Sequence, residues 1–124
     1  MRAWKTAVGV GMLAISATAA NAGDAARGKV TFMRQCSACH TVIANTRDSL
    51  GPNLFAIVGR TAGSKPRYVY SDAMKNSGVV WSDANLKSFV MNPNAVVPAS
   101  NMMFTGISSS SQADDVVAYL ATLQ

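Results

Sequence analysis

The sequence predicts a small all-α domain in which a few short helices are separated by long loops. In several segments apolar residues recur at the spacing of one helix face, after a residue that favours a helix start. No segment alternates apolar and polar residues as a half-buried strand does. The long connections, 41–70 and 93–110, contain glycine and proline, and loops of that length in a small domain usually have a function.

The first 22 residues are typical of a secretory signal peptide. Arg2 and Lys5 form a positively charged amino-terminal region. The apolar segment over 7–20 that follows is short for a membrane-spanning helix. Ala-Asn-Ala at 20–22 matches a cleavage site, while an uncleaved membrane anchor is the alternative. We therefore expect export to the periplasm, cleavage, and a single domain over residues 23–124 with no stable membrane insertion.

The predicted mature domain is mildly basic. Its formal charge falls from +5 to +3 because the leading segment takes two basic residues and no acid with it. Nucleic-acid binding usually requires a clustered basic patch, and the basic residues here are scattered. We expect no nucleic-acid partner.

The first helix is predicted over about 24–39. Asp24 is a suitable N-cap. Val30, Phe32 and Met33 are predicted to form its apolar face.

The second and third helices are predicted to be capped by serine. Ser71 begins a short helix over about 71–76, and Gly78 follows its end. Ser82 begins the third, and Pro93 stops it. The apolar residues of the third helix are Leu86, Phe89 and Val90.

The fourth helix is predicted over about 112–123. The segment 111–114 resembles a capping box that begins at Ser111, and two aspartates suit the positive end of the helix. Its buried side is predicted to consist of Val116, Val117, Tyr119 and Leu120.

One pentapeptide, Cys36-Ser37-Ala38-Cys39-His40, carries the chemistry of the chain. This spacing is the signature of covalent haem attachment, since positions i, i+3 and i+4 share one face of a helix. A redox dithiol and a disulfide are alternatives. A zinc site needs four ligands, and the chain has only two cysteines and one histidine.

His40 is the only histidine, which excludes two histidine ligands to an iron. The second axial position would then be a methionine, a lysine, an amino terminus or empty. Met102 and Met103 are candidates because they lie in a loop between Pro98 and Gly106, and a thioether suits an apolar environment.

Taken together, these residues resemble class I cytochrome c, the mitochondrial type and its bacterial soluble relatives. The resemblance covers nearly all of the predicted mature domain and implies amino- and carboxy-terminal helices packed across each other, shorter middle helices and long loops around one haem. It is carried by Gly28, Phe32 and Tyr119, by 51–54 (Gly-Pro-Asn-Leu), by Gly59-Arg60, by 70–73 (Tyr-Ser-Asp-Ala), by Trp81 and by 98–106.

The resemblance assigns roles to individual residues. It implies that Cys36 and Cys39 tether one haem c, that His40 is the proximal iron ligand, and that Met102 rather than Met103 is the distal one. The second set of roles belongs to residues around the haem. Pro52 would accept a hydrogen bond from the histidine, Phe104 would cover the haem, and the haem propionates would be held by Arg60, Tyr70, Trp81 and Ser100.

The chain also departs from its mitochondrial relatives. Phe89 stands in place of a tyrosine, and Met74 replaces a usual asparagine, so the distal side should be more apolar. The lysines that ring the haem edge in those relatives are absent, with uncharged residues instead at Gln35, Asn94, Ala95, Asn101 and serines 108–111.

The resemblance implies a one-electron carrier, not an enzyme, that docks as a monomer with redox protein partners. A small peroxidase would need an open iron site and a distal acid–base group, which a lone histidine does not supply. A sensor that binds a gas in place of Met102 is the other alternative.

Overall fold

The computed structural model describes residues 23–124 and, from the leading segment, Ala3, Gly9, Gly11, Leu13 and Ala14. The signal-peptide prediction therefore falls almost wholly outside the described residues. In the described part the helices are α1 (Ala25–Gln35), α2 (Asp72–Lys75), α3 (Asp83–Met91), α4 (Pro93–Val96) and α5 (Ser110–Ala121). The same part contains no strand, only an isolated antiparallel bridge between Thr61 and Val80. The all-α prediction is confirmed.

Three of the four predicted N-caps are confirmed. Asp24, Ser71 and Ser82 each accept a backbone N–H three residues later at the start of α1, α2 and α3. The cap predicted for α5 is wrong, because the helix begins two residues earlier and Ser109 accepts the Gln112 N–H.

The start of α5 is set by the segment that precedes it. Ile107 is buried, and its N–H donates to the Val90 carbonyl at 2.8 Å. The chain is therefore already anchored on α3 two residues before the cap. In a run of four serines, this tertiary contact decides which one becomes the cap.

The first helix is shorter than predicted. Its hydrogen-bond ladder ends where the Phe32 carbonyl accepts the N–H groups of both Cys36 and Ser37. Cys39 and His40 then both donate to the Cys36 carbonyl at 3.0 Å, which forms a separate turn directly after the helix. The haem-attachment motif thus occupies one turn, but that turn is not part of α1.

The predicted apolar face of α1 is only partly correct. Phe32 is 1% exposed, whereas Val30 and Met33 are 52% and 55% exposed. The face that packs inward instead contains Gly28, which the helix wheel places one turn before Phe32.

The segment after α3 contains a helix that the sequence reading missed. Pro93 was predicted only to stop α3, and it also occupies the first turn of α4, where its missing N–H is not needed. The Asn92 side chain caps this helix by accepting the Ala95 N–H at 3.3 Å.

The helices α1 and α5 make the closest inter-helix contact of the described fold. A Cβ atom at Gly28 would overlap the Asp115 carbonyl oxygen, so the two backbones approach more closely than a side chain would allow. The Phe32 and Tyr119 rings pack with centroids 5.5 Å apart. The predicted packing of the terminal helices across each other is confirmed.

A buried carboxylate strengthens the same contact. Asp115 accepts the Asp24 N–H at 2.6 Å and the Arg27 Nε–H at 3.0 Å. These bonds hold the pKa of Asp115 below its usual range, chiefly through Arg27. The sequence placed Asp115 only near the positive end of α5, and its role as a link to the start of α1 was not expected.

The buried side chains form two separate apolar clusters. One contains Ala62, Trp81, Leu86, Phe89, Val97 and Val117. The other contains Phe32, Ile107, Ala113, Val116 and Leu120. A cavity lined by members of both clusters lies between them, so the protein atoms alone do not complete the core.

Replacing Gly28 tests the contact between α1 and α5. Glycine-to-alanine changes in an exposed helix interior stabilise it by about 0.5–1 kcal/mol. We expect Gly28→Ala to destabilise the protein instead, by about 1–3 kcal/mol, because the added methyl group forces the helices apart. Urea unfolding of the haem-loaded protein measures the difference. Val30→Ala, on the exposed side of the same helix, is the control and should change stability by less than about 0.5 kcal/mol. An increase in stability with Gly28→Ala would show that the helices are not in tight contact.

Candidate haem site

The cavity between the two clusters has a volume of about 390 Å³. Its surface is mostly apolar, with a few polar groups at defined positions, as is usual in cofactor sites. Every residue predicted for the haem site lines it, although these residues are spread over more than sixty positions of the chain. They are Cys36, Cys39, His40, Pro52, Arg60, Tyr70, Trp81, Ser100, Met102 and Phe104.

The two cysteines lie side by side on the turn after α1. Cys36 is half-buried and Cys39 is exposed, and the two do not form a disulfide with each other. Burial, with a smaller contribution from Cys39, raises the pKa of Cys36 to about 11. A reactive dithiol has a lowered pKa instead, so Cys36 lacks the electrostatics of an attacking thiol.

Among the described residues, no three His, Cys, Asp or Glu side chains form a group that could hold a metal ion.

The His40 imidazole is oriented by the carbonyl of the Pro52–Asn53 peptide. Its Nδ1 lies 2.8 Å from the Pro52 carbonyl oxygen, which places the proton on Nδ1 and leaves Nε2 free to coordinate a metal. Burial lowers the pKa of His40, although the Pro52 hydrogen bond acts in the opposite direction. The imidazole is therefore neutral at neutral pH, which is the form that binds metals.

Gly51 is required by this arrangement. A Cβ atom at this position would overlap the His40 ring, so any side chain here would displace the imidazole. The Gly51 N–H also donates to the Cys39 carbonyl at 2.7 Å, which connects the loop directly to the cysteine turn.

The two candidate methionines differ sharply in environment. Met102 is half-buried and packs against the cluster that contains Trp81 and Phe89, whereas Met103 is fully exposed. The Ser100 hydroxyl accepts the Met102 N–H at 3.3 Å. The loop turns back at Gly106, where φ is +115° and a Cβ atom would overlap the carbonyl of the α3 residue Met91. These contacts favour Met102 as the inward-facing thioether.

Arg60 lies in the cavity wall and has a buried N–H group without a hydrogen-bond partner among the described residues. Its Nη2 donates to the Phe55 carbonyl at 3.1 Å, but its Nε is buried and has no hydrogen-bond partner among the described residues. A buried guanidinium N–H normally has an acceptor. An anionic group bound in the cavity, such as a haem propionate, would supply one. The backbone holds Arg60 beside Trp81, whose N–H donates to the Arg60 carbonyl at 2.8 Å.

The aromatic wall contains a residue that the sequence reading missed. Tyr68 lines the cavity, packs edge-on against Tyr70 with ring centroids 4.7 Å apart, and donates its hydroxyl to the Leu50 carbonyl at 2.9 Å. The spacing Tyr-Val-Tyr could have indicated it, because alternate residues of an extended segment point the same way.

The two predicted departures on the distal side are present in the cavity wall. Phe89 is buried and packs on Trp81 with ring centroids 4.9 Å apart, and it offers no hydroxyl. Met74 lines the same wall. At these two positions the cavity wall has no polar group that could act as a distal acid or base.

Comparison with known proteins agrees with this geometry. The family model "Cytochrome c" matches residues 25–124.

The chain belongs to the cytochrome c family.

Among its relatives, cytochrome c2 of Rhodomicrobium vannielii is 43% identical over 122 residues, which span 98% of this chain and 97% of that one. Cytochrome c2 of Agrobacterium tumefaciens is 42% identical over 101 residues, 79% of this chain and 90% of that one. Among solved structures, cytochrome cH from Methylobacterium extorquens superposes with a TM-score of 0.75 at 42% identity. The match covers 81% of this chain and 99% of that one.

Membership of the cytochrome c family establishes the cofactor and the class of activity. The chain binds one haem c covalently through Cys36 and Cys39, and it is an electron-transfer protein rather than an enzyme. The cavity fits this group: it is apolar, it has two thiols and a free imidazole nitrogen in its wall, and it offers an unpaired guanidinium N–H to an anion.

Proposed function

We propose that this cytochrome c is a periplasmic one-electron carrier in which His40 and Met102 are the axial ligands of the haem iron. The observation that carries the proposal is that both side chains line the same apolar cavity, His40 with Nε2 free and Met102 half-buried. The haem iron supplies the redox chemistry by alternating between the ferric and ferrous states. An imidazole and a thioether together favour the ferrous state and a higher potential.

The residues around the cavity would keep the site rigid during electron transfer. His40 is held by Pro52, and the Met102 loop is held by Ser100 and Gly106. Arg60 would neutralise a buried propionate, and the apolar wall excludes water. A site that moves little between two oxidation states costs little reorganisation, which is what the protein contributes to a redox cofactor.

The proposed Met102 ligand argues against the peroxidase and sensor alternatives. Both require an iron position that an external ligand can enter, and a peroxidase also needs a distal acid–base group. The side chains nearest to the Met102 loop in the apolar cluster are aromatic or aliphatic.

Two methionine variants test the axial ligand. We expect Met102→Ala to lose the absorption band of a methionine–ferric iron bond and to bind carbon monoxide readily in the reduced state. Its potential should fall by a sizeable part of the roughly 0.8 V range that axial ligands span. Met103→Ala is the matched control, because that side chain is fully exposed, and it should behave like the unchanged protein. If Met103→Ala loses the band instead, the proposed ligand is incorrect.

We propose further that residues 1–22 direct export and are removed, so that residues 23–124 form the mature domain. Two observations support this boundary. Gly23 already packs against α5, where a Cβ atom would overlap the Asp114 carbonyl oxygen. The match to the cytochrome c family model begins at residue 25, just after the proposed boundary. Among the described residues, no helix is long and apolar enough to cross a membrane.

Cleavage of residues 1–22 can be tested on protein purified from the periplasm of the source cell. We expect intact mass and amino-terminal sequencing to give Gly23 as the first residue. A chain that still begins at Met1 would favour the uncleaved anchor.

We also propose that docking with redox protein partners depends weakly on charge. The exposed residues at the mouth of the cavity include four uncharged ones, Gln35, Leu50, Asn101 and Met103. Lys65, which also lines the cavity, is paired with Asp48 at 2.6 Å. An uncharged mouth gives little long-range steering, and steering is the part of association that salt suppresses.

A salt series tests this docking proposal. We expect the second-order rate of electron transfer with the physiological partner, measured by stopped flow, to fall only slightly with ionic strength. The double variant Gln35→Lys/Asn101→Lys is the control and should restore a steep decline with acidic partners. A steep decline in the unchanged protein would contradict the proposal.

A further inference from the structure

One peptide group lies between the proposed iron ligand and a carboxylate. The carbonyl of the Pro52–Asn53 peptide is 2.8 Å from His40 Nδ1, and its N–H donates to Asp48 Oδ1 at 2.7 Å. The carbonyl and the N–H belong to the same planar, conjugated unit. The imidazole and the carboxylate are therefore connected through a single peptide bond.

This peptide is held firmly in place by the Asn53 side chain, which is 4% exposed. Its Nδ2 donates to the carbonyls of Ile43 and Thr46 at 2.8 and 3.0 Å, and its Oδ1 accepts the Phe55 N–H at 2.9 Å. With all of these bonds made, the peptide cannot rotate away from either partner.

Asp48 remains ionised in this position. Burial acts to raise its pKa, but the Asn53 N–H and the Lys65 ammonium outweigh it, with a smaller effect of Arg60, and hold the pKa of Asp48 below its ordinary value. Lys65 Nζ lies 2.6 Å from the same Oδ1 atom that accepts the Asn53 N–H. A full negative charge and its counter-ion thus stand at the far end of the peptide.

We propose that Asp48 is a positioning residue for the axial histidine, acting through the Pro52–Asn53 peptide, and that Lys65 moderates its effect. A negative charge at the N–H end polarises the peptide and makes its carbonyl a stronger acceptor, since hydrogen bonds in a chain reinforce one another. The stronger acceptor makes the His40 ring a better electron donor to iron. The inference rests on the proposed role of His40 as iron ligand.

Two variants separate this role from a purely structural one. Asp48→Asn keeps an oxygen that can accept the Asn53 N–H but removes the charge, so we expect a higher reduction potential. Lys65→Met leaves the carboxylate without its counter-ion, so we expect a lower potential. Loss of a merely structural link between the two loops would shift both variants in the same direction.

The NMR resonance of the proton on His40 Nδ1 distinguishes an effect passed through the Pro52–Asn53 peptide, which we call the relay, from an effect of charge acting through space. In the ferrous haem-loaded protein, we expect its NMR resonance to move upfield in Asp48→Asn and downfield in Lys65→Met. Asp72→Asn is the charge-matched control, because Asp72 is 90% exposed, is paired with Lys75 at 3.2 Å, and has no bond to this peptide. Its resonance should stay where it is in the unchanged protein.

The outcomes distinguish the relay from the function on which it rests. If Asp48→Asn leaves the Nδ1 proton resonance unchanged while the optical spectrum shows intact axial ligation, the relay is wrong and the proposed ligands stand. Shifts of the same sign in both variants would also overturn the relay. If the optical spectrum of the unchanged protein shows that His40 does not bind the iron, both proposals fail.

Discussion

The constraint on which this structure depends is a core that protein atoms do not fill. Two apolar clusters face each other across a cavity of about 390 Å³, and members of both line its wall. A chain of this size buries a smaller share of its surface on folding than a larger domain does. The covalently held haem c supplies the missing apolar body, and its attachment through Cys36 and Cys39 makes that body a permanent part of the fold. The long loops, which would be unusual in a domain without a cofactor, form the remaining walls.

The features that the sequence predicted well are those that local chemistry decides. A serine or aspartate next to a helical pattern caps it wherever the backbone can turn, as at Asp24, Ser71 and Ser82. The Cys36–His40 spacing is equally local, and the resemblance to a family extended it to distant residues of the cavity wall. The sequence did not predict the features that depend on tertiary contacts. Ser109 rather than Ser111 caps α5 because Ile107 is anchored on α3, and α1 packs through Gly28 rather than through Val30 and Met33.

The buried carboxylate of Asp115 and the partly buried one of Asp48 show why polar groups were harder to place than apolar ones. Asp48 and Asp115 look like ordinary surface aspartates in the sequence, and each bonds to a partner that no local pattern indicates. Asp115 finds Arg27 across the helix contact, and Asp48 finds Lys65 across two loops. A buried charge is tolerated only when it is paired and hydrogen-bonded. Such residues can be recognised only after the fold has brought their partners together.

The Asp48–Lys65 pair is a charged group, whereas Gln35, Leu50, Asn101 and Met103 at the mouth of the cavity carry no charge, and this difference has a functional consequence. A carrier must hold a suitable potential and must also bind and release its partners quickly. If one set of charges served both needs, each partner or each change of salt would alter the potential. Here Asp48 and Lys65 form an ion pair with Nζ and Oδ1 2.6 Å apart, so their opposite charges largely cancel at a distance and salt screens the remainder. If Asp48 acts on His40 as proposed, the potential is tuned through the Pro52–Asn53 peptide while the docking surface is free to change.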